Sequence, residues 1–116
     1  MEFYTKKDIE ELKKESDPFY IPASLFDGMQ YKLVRLEVKW AYVACLNVLI
    51  KSALFDNDGY AYMKDDHPLM IEILAKLANK KVDVEKMQGY IQELEENELL
   101  VISSRNIYLK KIERIF

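Results

Sequence analysis

Lys80, Lys81 and Lys86 crowd the start of one amphipathic segment, and Gln88 and Gln92 follow on it. Arg105 stands between two strand-like runs, with Lys110, Lys111 and Arg114 behind it. The chemistry open to this set is recognition. Cations in such a series neutralise phosphates along a nucleic-acid backbone, and a glutamine amide matches the donor and acceptor edge of adenine. Each feature also has an ordinary reading, because glutamine on a helix is commonly only solvated. The 110–114 stretch, with its three cations and Glu113, is equally a phosphate track or a solvated strand end.

Bond-making chemistry has no comparable footing. His67 is the one histidine and sits beside Pro68 at a helix start, where a surface role is the better reading. Cys45 lies between Ala44 and Leu46 and reads as a small buried hydrophobe. One Cys and one His cannot build a zinc site, and glycines at 28, 59 and 89 make no phosphate-cradling loop. Asp56-Asn57-Asp58-Gly59 imitates part of a calcium loop, but the first ligand position falls on Leu54 and the last on Asp65. It reads as a polar turn. The expectation is therefore no catalytic residue, no metal, no cofactor and no enzymatic activity.

The elements that must position the basic residues follow from periodicity. Asp8 to Glu15 offers Ile9 and Leu12 as a short apolar stripe behind a loose capping box, Thr5 with Asp8. A helix of fewer than about 12 residues does not hold alone in water, so this arm, residues 1–18, either docks or frays. Phe19 to Tyr31 is expected on the core surface, anchored by Phe19, Tyr20, Leu25 and Phe26. From Val34 to Leu54, Leu36, Trp40, Val43, Asn47 and Ile50 recur every three or four residues, which predicts a central helix with Asn47 buried and hydrogen-bonded. Tyr60 to Met63 predicts a short strand. Asp66 is the expected N-cap of a helix bearing Met70, Ile73, Leu74 and Leu77; after a break at Asn79 to Lys81, Asp83 caps the next, with Val84, Met87, Ile91 and Leu94 buried. Leu99 to Ile102 and Ile107 to Leu109 predict a hairpin around Ser103 to Asn106.

Helix, short strand, helix, turn, helix, hairpin is the order of a winged helix-turn-helix, an α+β fold that is mainly α. The expected division is an N-terminal helical extension, 1–18, and a winged helix-turn-helix domain, 19–116. The third helix is then the recognition helix. Its face opposite the buried stripe holds Glu85, Lys86, Gly89, Gln92, Glu93 and Glu96, one cation against three carboxylates. Gly89 in mid-helix costs about 1 kcal/mol relative to alanine, which either close approach by a partner or simple tolerance explains.

The whole chain carries 17 Lys and Arg against 20 Asp and Glu, a formal −3. That acidity argues weakly against a general nucleic-acid binder. It is unevenly spread: residues 76–86 carry four lysines against two carboxylates, and 99–116 carry four cations against Glu113. The longest apolar run, Trp40 to Ile50, is 11 residues and falls short of a bilayer core of roughly 30 Å. No stretch resembles a signal peptide, so a cytoplasmic protein is expected.

Several short motifs resemble a known group. Phe19-Tyr20-Ile21-Pro22, Leu25-Phe26, Tyr31-Lys32, Leu36-Glu37-Val38-Lys39 and Ala41-Tyr42 look like the N-terminal domain of RepA_N-type plasmid replication initiators. Asp58-Gly59-Tyr60-Ala61-Tyr62, Pro68-Leu69, Ile73-Leu74-Ala75, Val82-Asp83-Val84-Glu85 and Glu98-Leu99-Leu100 are similar to DnaD-related phage replisome organisers. The resemblance implies a winged helix that binds origin double-stranded DNA, self-associates as a homodimer or higher oligomer, or does both, beside other replication proteins. Two departures stand out, the short Ser103 to Asn106 wing turn and the acidic third helix. Both favour the alternative, an oligomerisation module with little DNA affinity. On the DNA-binding reading, Lys80, Lys81, Lys86, Gln88, Gln92, Arg105, Lys110 and Lys111 form the contact set.

Overall fold

Capping and burial explain where each element starts and stops in the computed structural model, which describes residues 1–113. Thr5 and Asp8 close a full capping box at the head of α1 (Lys6–Lys13). Ile9 and Leu12 turn inward, so the segment before Pro18 docks on the core instead of fraying. A short helix, α2 (Ala23–Asp27), and a 3-10 turn (Met29–Tyr31) follow, with Leu25 buried and Phe19, Tyr20 and Phe26 packed half-buried on the core.

The central helix is α3 (Leu36–Ser52), buried at almost every position from Val38 to Ile50. It packs against α1, α4, α5 and β2. Asn47 is buried there with its amide satisfied: Tyr20 N–H donates to Oδ1 at 2.9 Å, and Nδ2 donates to the carbonyls of Tyr20 and Val43 at 2.9 and 2.8 Å. Cys45 is buried against the Met70 sulfur, and burial pushes its thiol up to about 12. Leu36 departs from the expected stripe and is exposed, because the first turn of α3 overhangs the end of the core.

Helices α4 (Leu69–Ala78) and α5 (Val84–Glu96) form the helix-turn-helix pair. Asn79, left-handed at φ 52°, ends α4, and Asp83 Oδ1 accepts the Lys86 N–H at 2.7 Å to start α5. The N-cap of α4 is Pro68, not Asp66. The Leu69 N–H donates to His67 Nδ1 at 3.2 Å, while the Asp66 carboxylate is drawn off toward Arg105. Val84 is also exposed: its first-turn side chain faces the open groove between α5 and the head of α4.

Four strands form one antiparallel sheet, ordered β1 (Leu54–Phe55), β2 (Ala61–Lys64), β4 (Asn106–Leu109), β3 (Leu100–Ser103). The turn between β1 and β2 is closed by Asp56, whose carboxylate accepts from the Asp58 and Tyr60 N–H groups and the Tyr108 hydroxyl. Those donors, the Tyr60 N–H foremost, hold it below the usual carboxylate range. The N-terminal arm adds to this sheet through isolated bridges, Phe3 to Lys110 and Thr5 to Tyr60. Three helices around α3, closed by a small sheet that ends in a β3–β4 wing, make the chain an α+β winged helix. No described helix is long and apolar enough to cross a membrane.

Candidate nucleic-acid interface

The exposed side of α5 is a ridge between two depressions. On one side a groove of about 640 Å³ runs between α5, the head of α4 and the wing, lined by Gln88 and Gln92, by apolar Met87, Ile91 and Ile102, and by Arg105 among the carboxylates of Asp65, Asp66 and Glu95. On the other side a shallower shelf of about 440 Å³ is lined by Arg35, Glu37, Lys80, Lys86, Gly89, Tyr90 and Glu93. The α4–α5 turn thus places Lys80 and Lys86 on one flank of the helix, with Lys81 exposed beside them, and the two glutamines on the other. Among the described residues, Lys80, Lys81 and Lys86 enter no ion pair. The Gln92 amide donates to Glu96 at 3.3 Å.

Arg105 occupies the tip of the wing. Strand pairing extends to Ser103 and Asn106, so the turn is only Ser104 and Arg105, shorter than the expected region, and both are left-handed at φ 50° and 67°. That conformation suits Asn-Gly, and holding Ser-Arg in it requires support from elsewhere. The support comes from the β2–α4 loop. The Asp65 N–H donates to the Arg105 carbonyl at 2.9 Å, and the guanidinium Nε and Nη2 donate to Asp65 Oδ1 at 3.2 and 3.1 Å. Nη2 also reaches Asp66 at 3.4 Å. Bonding to the Asp65 carboxylate raises Arg105 above its ordinary value.

Lys110 and Lys111 lie away from α5. The Lys110 ammonium stands 5.4 Å from the centre of the Tyr31 ring, and Lys111 donates to Asp8 at 3.1 Å, tying the strand end to the N-terminal arm. The structure brings together Lys80 and Lys86 on one flank of α5, and Gln88, Gln92 and Arg105 on the other, but not Lys110 and Lys111. Arg114 lies outside the described residues.

Sequence reasoning did not single out Arg35. Its guanidinium bridges the head of α3 to the middle of α5, with Nη2 2.9 Å from Glu93 and Nη1 3.0 Å from Glu37. The consequence is electrostatic: one guanidinium is shared between Glu93 of α5 and Glu37 of α3, and bonding to Glu93 raises Arg35 above its usual value. The signal was an isolated arginine before a helix with a glutamate 58 residues later, a pairing only the tertiary fold creates.

With this geometry in hand, comparison with known proteins adds one kind of match. No protein-family model and no curated protein matches the chain. Solved structures do. A chain described as "Structure of Rep-DNA complex" is 27% identical with TM-score 0.59, over 99% of this chain and 86% of that one. One described as "Structure of MDR initiator" is 22% identical with TM-score 0.57, over 99% of this chain and 89% of that one. A third, "N-Terminal domain of DNA binding protein", is 23% identical with TM-score 0.60, over 100% and 86%. The latter two likenesses are of fold. All three extend across the N-terminal arm as well as the winged helix.

Proposed function

We propose that the chain is a DNA-binding winged-helix module of a replication initiator, acting on origin double-stranded DNA without enzymatic activity. The observation that carries the reading is its similarity, over nearly its whole length, to the chain of the Rep-DNA complex. The site is compatible with it. Lys80, Lys81 and Lys86 stand at the N-terminal end of α5, the part of a recognition helix that usually meets base edges and flanking phosphates. Gln88 and Gln92 follow into the groove, and Arg105 projects from the wing on the same side. In this reading Arg35 offsets Glu93 on α5, while Glu85 in the first turn and Glu95 and Glu96 in the last keep the helix acidic. A plasmid or phage setting, a cytoplasmic location and a role beside other replication proteins belong to the same proposal.

The test is charge reversal. The double variant Lys81→Glu, Lys86→Glu abolishes retardation of a mixed-sequence duplex at low salt, while its circular dichroism spectrum stays that of the parent. An unchanged gel shift would overturn the assignment of this face.

Self-association as a homodimer or higher oligomer, with little DNA affinity, is the second reading, and one observation favours it. Met29, Leu33 and Leu36 are exposed by 76, 89 and 57% along one stretch before and at the head of α3. Sedimentation with DNA titration separates the two. A stable oligomer with no salt-sensitive affinity for any duplex selects the second.

A further inference from the structure

Gly89 has no intramolecular reason to be glycine. The other two glycines have one each. A Cβ on Gly28 would lie 2.6 Å from the Ser24 carbonyl oxygen, and Gly59 takes φ +85° in the β1–β2 turn. Gly89 is in the body of α5 without a positive φ, so its backbone conformation suits any helix former. A Cβ there would meet nothing within 4 Å. Neither conformation nor packing selects the residue, and it weakens the helix that carries it.

What glycine does at 89 is lower the ridge. With 100° per residue, Glu85, Gly89, Gln92 and Glu96 run along the crest of α5, and the missing side chain opens a notch between Glu85 and Gln92. The notch opens into the shelf that Lys80 and Lys86 line. Both carboxylates of that shelf, Glu37 and Glu93, are held by Arg35 at 3.0 and 2.9 Å. Among the described residues the two lysines enter no ion pair, and the shelf's three cations, Arg35, Lys80 and Lys86, stand against two carboxylates, leaving it net positive by one. Glu85 stands on the same crest, four residues before Gly89.

We propose that Gly89 is the point of closest approach between α5 and a DNA duplex, one sugar–phosphate strand crossing the notch so that its phosphates meet Lys80 and Lys86. This rests on the DNA-binding reading above and goes beyond it by naming a backbone contact that involves no side chain. A methyl group at 89 holds the strand off the lysines.

The experiment uses the full chain and a fluorescein-labelled, mixed-sequence duplex of about three helical turns, with affinity followed by anisotropy across a salt series. Gly89→Ala weakens binding at low salt by about tenfold or more, lowers the slope of log K against log salt because the phosphates are held off Lys80 and Lys86, and raises the thermal midpoint. Lys86→Ala, run beside it, lowers the slope by about one. If Gly89→Ala binds as tightly as the parent, the close approach is overturned and the DNA-binding reading stands. If Gly89→Ala loses affinity together with a lowered thermal midpoint, the effect runs through folding and the proposal is likewise overturned. If the parent chain shows no salt-sensitive binding, both fall.

Discussion

Asp8 shows how one side chain joins distant parts of the sequence. Its Oδ2 accepts the Thr5 N–H at 2.9 Å to complete the helix cap, and its Oδ1 takes the Lys111 ammonium at 3.1 Å. Burial alone would raise the carboxyl, but the Thr5 backbone N–H, the Lys111 ammonium and the Thr5 hydroxyl together hold it below its ordinary value. A depressed folded-state pKa contributes stability that is full above the unfolded-state value and is lost as pH falls through the folded one. Asp8→Asn should therefore cost about 1 kcal/mol at neutral pH, and the gap to the parent should close in acid. Urea titrations at neutral and acid pH check this; a gap that persists in acid means the charge of Asp8 is not what stabilises. Tyr4 and Tyr42 make a second tie. Tyr42 donates to the Lys110 carbonyl at 2.6 Å, so its oxygen must accept from Tyr4 across 2.8 Å, and Tyr4 in turn accepts the Ile112 N–H. Burial pushes the Tyr4 hydroxyl up to about 12 and Tyr42 well above its ordinary value, so neither titrates in the working range.

Among the elements, the wing is the part whose geometry depends most on a neighbour. Its two-residue turn forces an arginine into the left-handed region, and the β2–α4 loop holds that arginine by the Asp65 amide and the carboxylates of Asp65 and Asp66. The same carboxylates therefore orient the guanidinium and offset its field while keeping it protonated. Arg105→Ala should leave the unfolding midpoint nearly unchanged, because exposed ion pairs contribute little. The salt slope of duplex binding should fall by about one, the signature of one lost phosphate contact. An unchanged slope would remove the wing tip from the interface. Helices α3 to α5 were legible in the sequence because the periodicity of Met70, Ile73, Leu74 and Leu77, and of Met87, Ile91 and Leu94, registers which face is buried. The two misplaced side chains, Leu36 and Val84, both sit in first turns, where periodicity continues past the end of the core. Asp66 was misread as a cap because local sequence carries no trace of Arg105, 39 residues away.

For the molecule as a whole, the arm before Pro18 is a structural part of the core. Tyr4, Ile9 and Leu12 are exposed by only 3, 1 and 6%. At about 1.5–3 kcal/mol for each buried side chain, their loss approaches the 5–15 kcal/mol that holds a domain together. Deletion of residues 1–15 should abolish a cooperative urea transition followed by circular dichroism. A cooperative transition with an unaltered midpoint would show that the arm adds nothing. The sequence by itself determined the α+β winged-helix order, the buried Asn47 and Cys45, and the basic start of α5, because hydrophobic period and capping residues act within a few positions. Tertiary structure alone decided that the arm docks, that Lys111 serves Asp8, that Arg35 matches Glu93 and that Arg105 is held by Asp65. Each of those joins groups tens of residues apart, and Coulomb attraction and hydrogen bonding depend on distance in space, which the order of residues along the chain does not disclose.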